Sequence, residues 1–194
     1  RDPARLRDVP WAGDVEVVQG DLANPGEVRS AVEGVEVLYY LVHSMSGKGD
    51  FEAVERHVAT TVATAARDAG VARVVYLGGL HPDGPLSRHL ASRKEVGDIL
   101  LASGVPTAAL QAGVVIGSGS ASFEMIRHLT EVLPYMPAPK WVRNYIQPIA
   151  VRDVLHYLIG AASLPPEVNR AFDIGGPDVL RYGQMMNGYA VEAG

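Results

Sequence analysis

The apolar and polar positions of this chain repeat one pattern three times. A segment with helical periodicity ends in Gly-Val, and a short apolar run follows at once; the glycines are Gly34, Gly70 and Gly104. A glycine takes the left-handed conformation that ends a helix, and the next apolar residue returns to the sheet. The glycines lie 36 and then 34 residues apart, about one βα unit each. This pattern predicts a parallel sheet with helices on both faces, joined by right-handed crossovers.

The runs 38–42, 74–77 and 108–116 are therefore predicted to be neighbouring parallel strands. An earlier alternating run, 15–21, is also predicted to be a strand. Helix starts agree with this arrangement, because each has a polar residue that can cap its first turn. Asn24 is followed by Pro25 and Glu27, as in a capping box; the other predicted caps are Asp50 and Ser87.

After Gly117 the pattern changes. A polar Gly/Ser loop precedes a helix predicted over 123–133, and three prolines then interrupt regular structure. Residues 147–160 suggest a short extended piece and a helix, and 171–177 a strand ended by a turn. We interpret residues 1–194 as one α/β domain, a doubly wound parallel sheet in which 118–194 includes a small C-terminal lobe.

Composition narrows the function. The chain has 194 residues, is 47% hydrophobic and 20% charged, and carries a net charge of -5 without a dense basic face. Nucleic acid and anionic membrane are therefore not expected partners, and no apolar run approaches the roughly 20 residues of a membrane span. The absence of cysteine excludes disulfides and thiolate chemistry and fits a cytoplasmic protein. No metal site is predicted, because the ligand spacings of such sites do not occur.

The stretch 73–101 is where chemistry is expected, since ligands of open α/β sheets bind where strands end and helices begin. Gly78 and Gly79 end its strand, allowing either close approach of a ligand or a tight turn. Ser87 is a helix cap or a reactive hydroxyl. The remaining candidates are His43 after the preceding strand, as a general acid or a structural histidine, and His89 and Lys94 on the following helix.

Two further motifs follow predicted strands. Asp21, in Gly20-Asp21-Leu22, is placed to accept a hydrogen bond from an adenine amino group, although a turn aspartate is the plainer interpretation. The loop 117–120 resembles a phosphate cradle, with a simple connector as the alternative. The complete glycine-rich dinucleotide fingerprint does not occur in these 194 residues.

Taken together, these segments resemble the short-chain dehydrogenase/reductase superfamily, in its atypical, NmrA-like and extended-like branch. The resemblance runs over nearly the whole chain and rests on the order of weak motifs: Arg1-Asp2-Pro3, Gly20-Asp21-Leu22, Ala69-Gly70-Val71-Ala72-Arg73-Val74-Val75, Gly113-Val114-Val115-Ile116-Gly117, residues 147–154 and residues 172–177. Residues 39–45 and 118–124 look characteristic of a bacterial subgroup.

The resemblance implies a Rossmann-like domain that binds NADP or NAD. It implies that the family's opening βαβ unit, with its glycine-rich loop, should precede Arg1. Arg1 itself would meet a 2′-phosphate. The cofactor-binding positions carried over are Arg1, Asp21, Leu22, Leu41, Val42, His43, Gly78, Gly79, Lys94, Gly113, Val114 and Val115.

The active-site Tyr-x-x-x-Lys of the family is incomplete here. If Lys94 is the family lysine, Leu90 takes the tyrosine position, and glycine takes that of the catalytic serine or threonine. Two functions follow as hypotheses. One is an oxidoreductase acting on an unidentified carbonyl-type substrate, with Lys94, His43, Ser87 and His89 as candidate catalytic residues. The other is a non-catalytic, dinucleotide-sensing regulator or assembly factor, which would act through a protein partner; a homo-oligomer also stays open.

Overall fold

The structure is a computed structural model that describes residues 6, 8–43, 50–82, 84–117, 120, 123–124, 127–128 and 140–193. Its central sheet has four parallel strands in the order β1-β2-β3-β7. These strands are β1 (Val37–Tyr40), β2 (Arg73–Gly79), β3 (Thr107–Ala112) and β7 (Arg170–Ile174). The predicted parallel arrangement of the three βα units is confirmed.

Helices cover both faces of this sheet, as a doubly wound fold requires. The helices α1 (Pro25–Val32), α2 (Phe51–Asp68) and α3 (Arg88–Leu101) belong to one face, where their apolar residues share a core with Val74, Tyr76 and Ala109. The helix α4 (Val151–Ala162) packs on the other face through Val154, Leu158 and Ala161.

The turns that connect these elements follow the sequence closely. Gly34, Gly70 and Gly104 have φ values of 73°, 71° and 87°, the left-handed conformation predicted for them. The Asn24 side chain accepts hydrogen bonds from the backbone N–H groups of Gly26 and Glu27, and Asp50 caps α2.

Two predicted strands differ in the structure. Residues 15–21 form no strand, although the alternating pattern predicted one; no described segment pairs with them, and Val15 and Val18 are exposed. An isolated extended segment has no ladder of hydrogen bonds to hold it. The run 108–116 is divided: β3 ends at Ala112, and β4 (Val115–Ile116) pairs instead with β6 (Ile149–Ala150).

The remaining described elements are short. The strands β5 (Tyr145–Ile146) and β8 (Leu180–Arg181) pair antiparallel, and α5 (Tyr182–Ala193) contributes Met185 and Met186 to a small apolar cluster. Short 3₁₀ turns span Ala12–Asp14 and Lys140–Arg143. The helix predicted over 123–133 lies mostly outside the described residues. In the described part of the chain, every helix is too short or too polar to cross a membrane.

A buried arginine ties the start of β2 to the segment that leads into β7. Arg73 is 3% exposed, and its guanidinium donates hydrogen bonds to the carbonyl oxygens of Leu164, Pro165 and Val168, at 3.0, 2.7 and 3.1 Å. These bonds pair partly buried backbone acceptors of an irregular segment with a buried cation. They fix the edge of the sheet at which its parallel strands begin.

Candidate cofactor and substrate site

A cavity of about 1130 Å³ opens beside the carboxyl end of β1. Its wall combines the residues that precede α1, the residues that follow β1, and one side of α2. Five residues predicted to bind cofactor line it together: Asp21, Leu22, Leu41, Val42 and His43. Leu41 and Val42 are 49% and 44% exposed, so apolar side chains face open space at a strand end. Asp21, Glu27 and Glu55 contribute the carboxylates of the lining. An apolar wall with hydrogen-bond acceptors is a surface that an adenosine group would fit.

The loop that carries Asp21 is held by Glu27 from the first turn of α1. The carboxylate of Glu27 accepts a hydrogen bond of 2.7 Å from the Asp21 backbone N–H and another of 2.7 Å from the Asn24 side-chain amide. One oxygen of Asp21 accepts from the Ala23 N–H at 3.0 Å. The turn role weighed for Asp21 is thus present, and its carboxylate also lines the cavity.

Tyr40 and Glu55 form the inner side of this cavity. Burial, with a smaller contribution from the Glu55 carboxylate, raises the pKa of Tyr40 to about 12. The Tyr40 and Tyr76 rings meet edge to face, with centroids 5.8 Å apart. Both phenols therefore stay protonated at neutral pH, and their rings pack against each other.

At the end of β2, Gly78 and Gly79 remain in the strand and do not form a turn. A methyl group on Gly78 would lie 2.8 Å from Cε1 of Tyr76, so the tyrosine ring fills the space that this glycine leaves. The Tyr76 hydroxyl donates to the Arg93 carbonyl oxygen at 2.9 Å, which ties β2 to α3. Burial raises the pKa of Tyr76 above its usual range.

Gly79 faces α3. The three atoms nearest to a methyl group placed on Gly79 belong to Leu90 and Arg93, and the closest, Leu90 Cδ2, lies at 3.2 Å. Gly79 and Leu90 therefore face each other across the contact between β2 and α3. Neither residue has a side-chain hydroxyl that could donate a proton.

The predicted catalytic residues of α3 are distributed over the helix. Ser87 caps it, since its hydroxyl accepts a hydrogen bond of 3.3 Å from the Leu90 N–H. His89 stacks on Phe51 of α2, with ring centroids 4.6 Å apart. Lys94 Nζ lies 2.7 Å from Asp98 Oδ2 in an exposed pair along the helix.

The positions carried over at the end of β3 contact other parts of the chain. A methyl group on Gly113 would lie 2.3 Å from the backbone oxygen of Gln147, so glycine permits the close passage of that segment. Val114 packs against the cluster of Met185 and Met186, and Val115 against the core beside α4. Arg1 and the centre of the 117–120 loop lie outside the described residues.

His81 is a residue of this edge that sequence reasoning missed. It lies two residues after the end of β2. The intervening Leu80 N–H donates a hydrogen bond of 2.8 Å to the Ala112 carbonyl. Its Nε2 is buried and has no hydrogen-bond partner among the described residues. Burial lowers its pKa, and Lys94 lowers it further, while the nearby Gln111 side chain and the carboxylates of Asp98 and Asp173 oppose the shift. The sequence feature that could have identified His81 is its position directly after Gly78-Gly79-Leu80, where the predicted strand ends.

The parallel sheet and the cavity at its carboxyl edge define a dinucleotide-binding protein of the Rossmann type. The chain belongs to a family described as NAD(P)H-binding, whose model matches residues 1–114. The predicted cofactor class, NAD or NADP, is thereby confirmed. A search of curated proteins finds no significant match.

Solved structures with this fold include several that contain NAD. MoeE5 in complex with UDP-glucose and NAD is 18% identical, with a TM-score of 0.76 over 91% of this chain and 68% of its own. WbmG of Bordetella bronchiseptica, in complex with NAD, is 16% identical, with a TM-score of 0.78 over 96% and 65%. DesIV, a dTDP-glucose 4,6-dehydratase of Streptomyces venezuelae with NAD and TYD bound, is 16% identical, with a TM-score of 0.76 over 99% and 67%. The chain thus spans about two thirds of the length of these structures, and the likeness concerns the fold.

Proposed function

We propose that this protein is an atypical, NmrA-like short-chain dehydrogenase/reductase that uses NAD(P)H to reduce, or NAD(P)⁺ to oxidise, a carbonyl-type or alcohol substrate. The observation that carries the proposal is the cavity, which brings Asp21 together with Leu41 and Val42. In this proposal the adenosine half of the cofactor lies against these side chains, with the Asp21 carboxylate accepting from the adenine amino group. The cofactor supplies the hydride chemistry when it is bound.

The reacting part of the substrate is placed at the carboxyl ends of β2 and β3. Lys94 is the proposed ribose-binding group, which requires that it turn from Asp98 towards the cofactor. Because the phenol of the family is replaced by Leu90, the proton must come from another group. His43, which lines the cavity, Ser87 and His89 remain the proposed candidates.

Leu90 packs beside Gly79, and neither side chain can donate a proton. This favours a second function, a regulator that binds NAD(P)H without oxidising it. Such a protein would transmit the bound state of the cofactor to a protein partner. The two functions share the cavity and differ only in hydride transfer. Single-turnover oxidation of bound NADPH, followed with and without a panel of aldehydes, ketones and 2-oxo acids, separates them.

Cofactor placement is tested by filling the cavity. Val54 lies on α2, lines the cavity and is 54% exposed, so a larger side chain can be added there without disturbing the core. Val54→Trp should weaken NADPH binding at least about tenfold by occupying cofactor volume. Val179→Trp, at a residue that is 60% exposed and lies away from the cavity, is the matched control. Equal affinities of the two variants in a fluorescence titration would move the cofactor out of this cavity.

A further inference from the structure

The cationic side chains of α3 differ in how they are neutralised. Arg88 pairs with Glu52 of α2 through two hydrogen bonds of 3.0 Å, and Lys94 pairs with Asp98 at 2.7 Å. Arg93 lies between them and is only partly exposed. In the described part of the chain, no side chain or carbonyl accepts a hydrogen bond from its guanidinium, and no carboxylate lies within 4.0 Å.

Arg93 also faces the carboxyl end of β2. Its Nη1 would lie 3.6 Å, and its Cδ 3.8 Å, from a methyl group on Gly79, so the side chain occupies the space beside that glycine. Its backbone is fixed, because the Arg93 carbonyl accepts the Tyr76 hydroxyl. Its charge is close enough to Tyr76 to oppose the rise of that phenol's pKa.

A partly buried guanidinium without a counter-charge is costly, and it is also prepared for an anion, because its planar donors match an oxyanion in a bidentate pair. One arginine balances one carboxylate. A phosphate monoester carries a charge of about −1.5 to −2 and would call for a second cation. Arg88 is paired with Glu52, and Lys94 is held by Asp98 or, in the proposed function, by the cofactor ribose. The apolar Leu90 beside Arg93 adds no further donor side chain.

We propose that Arg93 binds the carboxylate of the substrate, so that the protein acts on a carbonyl or alcohol compound that also carries a carboxylate. This assignment rests on the proposed oxidoreductase function and narrows its substrate class. Arg93 is a binding residue here, and the proton transfer belongs to other groups. The cofactor cavity is lined by other residues, so the two binding roles can be measured separately.

The experiment uses ¹⁵N-labelled protein and follows the arginine Nε–H resonances, together with the backbone amides of Gly79 and Leu90 that report on the same place in every variant, by NMR at constant ionic strength. The probes are acetate, its neutral isostere acetamide, and inorganic phosphate, each titrated with and without NADPH. Acetate should shift the Arg93 resonance to saturation, acetamide should not, and phosphate should bind no tighter than acetate. Arg93→Gln should weaken acetate binding at least about tenfold, while Arg93→Lys should retain part of it.

Arg88→Gln removes the same charge from the same helix and should leave acetate binding unchanged, and NADPH affinity should stay within about twofold in Arg93→Gln. Any of four results overturns the proposal: no saturable acetate shift, equal acetate affinity in Arg93→Gln, an equal loss in Arg88→Gln, or tighter phosphate binding. A loss of NADPH affinity in Arg93→Gln would overturn it too, by making Arg93 a cofactor contact. If acetate binds at Arg93 but NADPH does not bind to the protein, the carboxylate-binding site is supported and the proposed oxidoreductase function is wrong.

Discussion

The Ser92 hydroxyl of α3 donates a hydrogen bond to the Glu55 carboxylate of α2, and both residues are buried, at 3% and 7% exposure. Glu55 also lines the cavity beside the end of β1, so this contact joins the helix pair to the wall of the candidate site. When a buried carboxylate loses a hydrogen-bond donor, its desolvation is no longer compensated and the folded state is destabilised.

Ser92→Ala should therefore lower the free energy of unfolding by about 1–3 kcal/mol. Ser30→Ala is the matched control, because the Ser30 hydroxyl is exposed and donates only to the Gly26 carbonyl of its own helix. Chemical denaturation of both variants measures the difference. Equal stabilities of Ser92→Ala and Ser30→Ala would show that the buried contact contributes nothing.

Two glycine-to-alanine substitutions should act in opposite directions. Gly113→Ala would place a methyl group 2.3 Å from the Gln147 backbone oxygen, and should cost about 1–3 kcal/mol or more because backbone must move. Gly160→Ala has no atom within 4 Å inside α4, and should stabilise the protein by about 0.5–1 kcal/mol through helix propensity. The midpoints of thermal and urea unfolding measure both. Destabilisation by Gly160→Ala would contradict the packing of α4.

His81 should make stability depend on pH in the acid range. Its folded-state pKa is lowered below the ordinary value of 6.5, mainly by burial, so folding favours the neutral imidazole. Its contribution is fully present above the unfolded-state value and is lost as pH falls from about 6.5 towards the lowered folded-state pKa. His81→Leu should lack that part of the slope. Parallel unfolding curves against pH for the two proteins would show that His81 titrates alike in both states.

Lys94→Ala should weaken NADPH binding by roughly tenfold or more, as expected for the loss of charge-assisted hydrogen bonds to the ribose. Any turnover should fall no more than binding does, since Leu90 leaves no phenol for Lys94 to activate. Asp98→Ala is the control, because it releases Lys94 from an exposed pair that itself stabilises the fold by about 0–1 kcal/mol. Unchanged affinity in Lys94→Ala would place the lysine at the helix surface, and a large rate loss at saturating cofactor would give it a role in proton transfer.

The parts of the fold that follow from local chemistry could be predicted from the sequence. Glycines with positive φ at 34, 70 and 104, and the caps at Asn24, Asp50 and Ser87, depend on neighbouring residues only. The strand predicted over 15–21 was wrong because pairing depends on a distant partner. The division of the third strand follows from Gln147, which passes close to Gly113 from a remote part of the chain.

The sequence predicted which segments form the candidate site, but not the directions in which their side chains point. Motif order identified the strand ends that line the cavity, including Asp21 and Val42. The direction of a side chain depends on helix phase and on partners: Arg93 faces Gly79, whereas Lys94 extends along α3. The spacing of Lys94 and Asp98 is i,i+4, a pairing signal that sequence reasoning can use.

The hydrogen bonds of Arg73 have a consequence for how the protein forms on the ribosome. Their acceptors lie 91–95 positions later in the chain, and β7 pairs with β3 only after the intervening residues have been made. At a synthesis rate of about 5–20 residues per second, roughly 3–12 seconds pass between the synthesis of β3 and that of β7. During that time a buried cation and an unpaired strand edge have no native partners, so nascent chains that stop short of residue 164 should be cleaved by protease more readily than those that have passed 174.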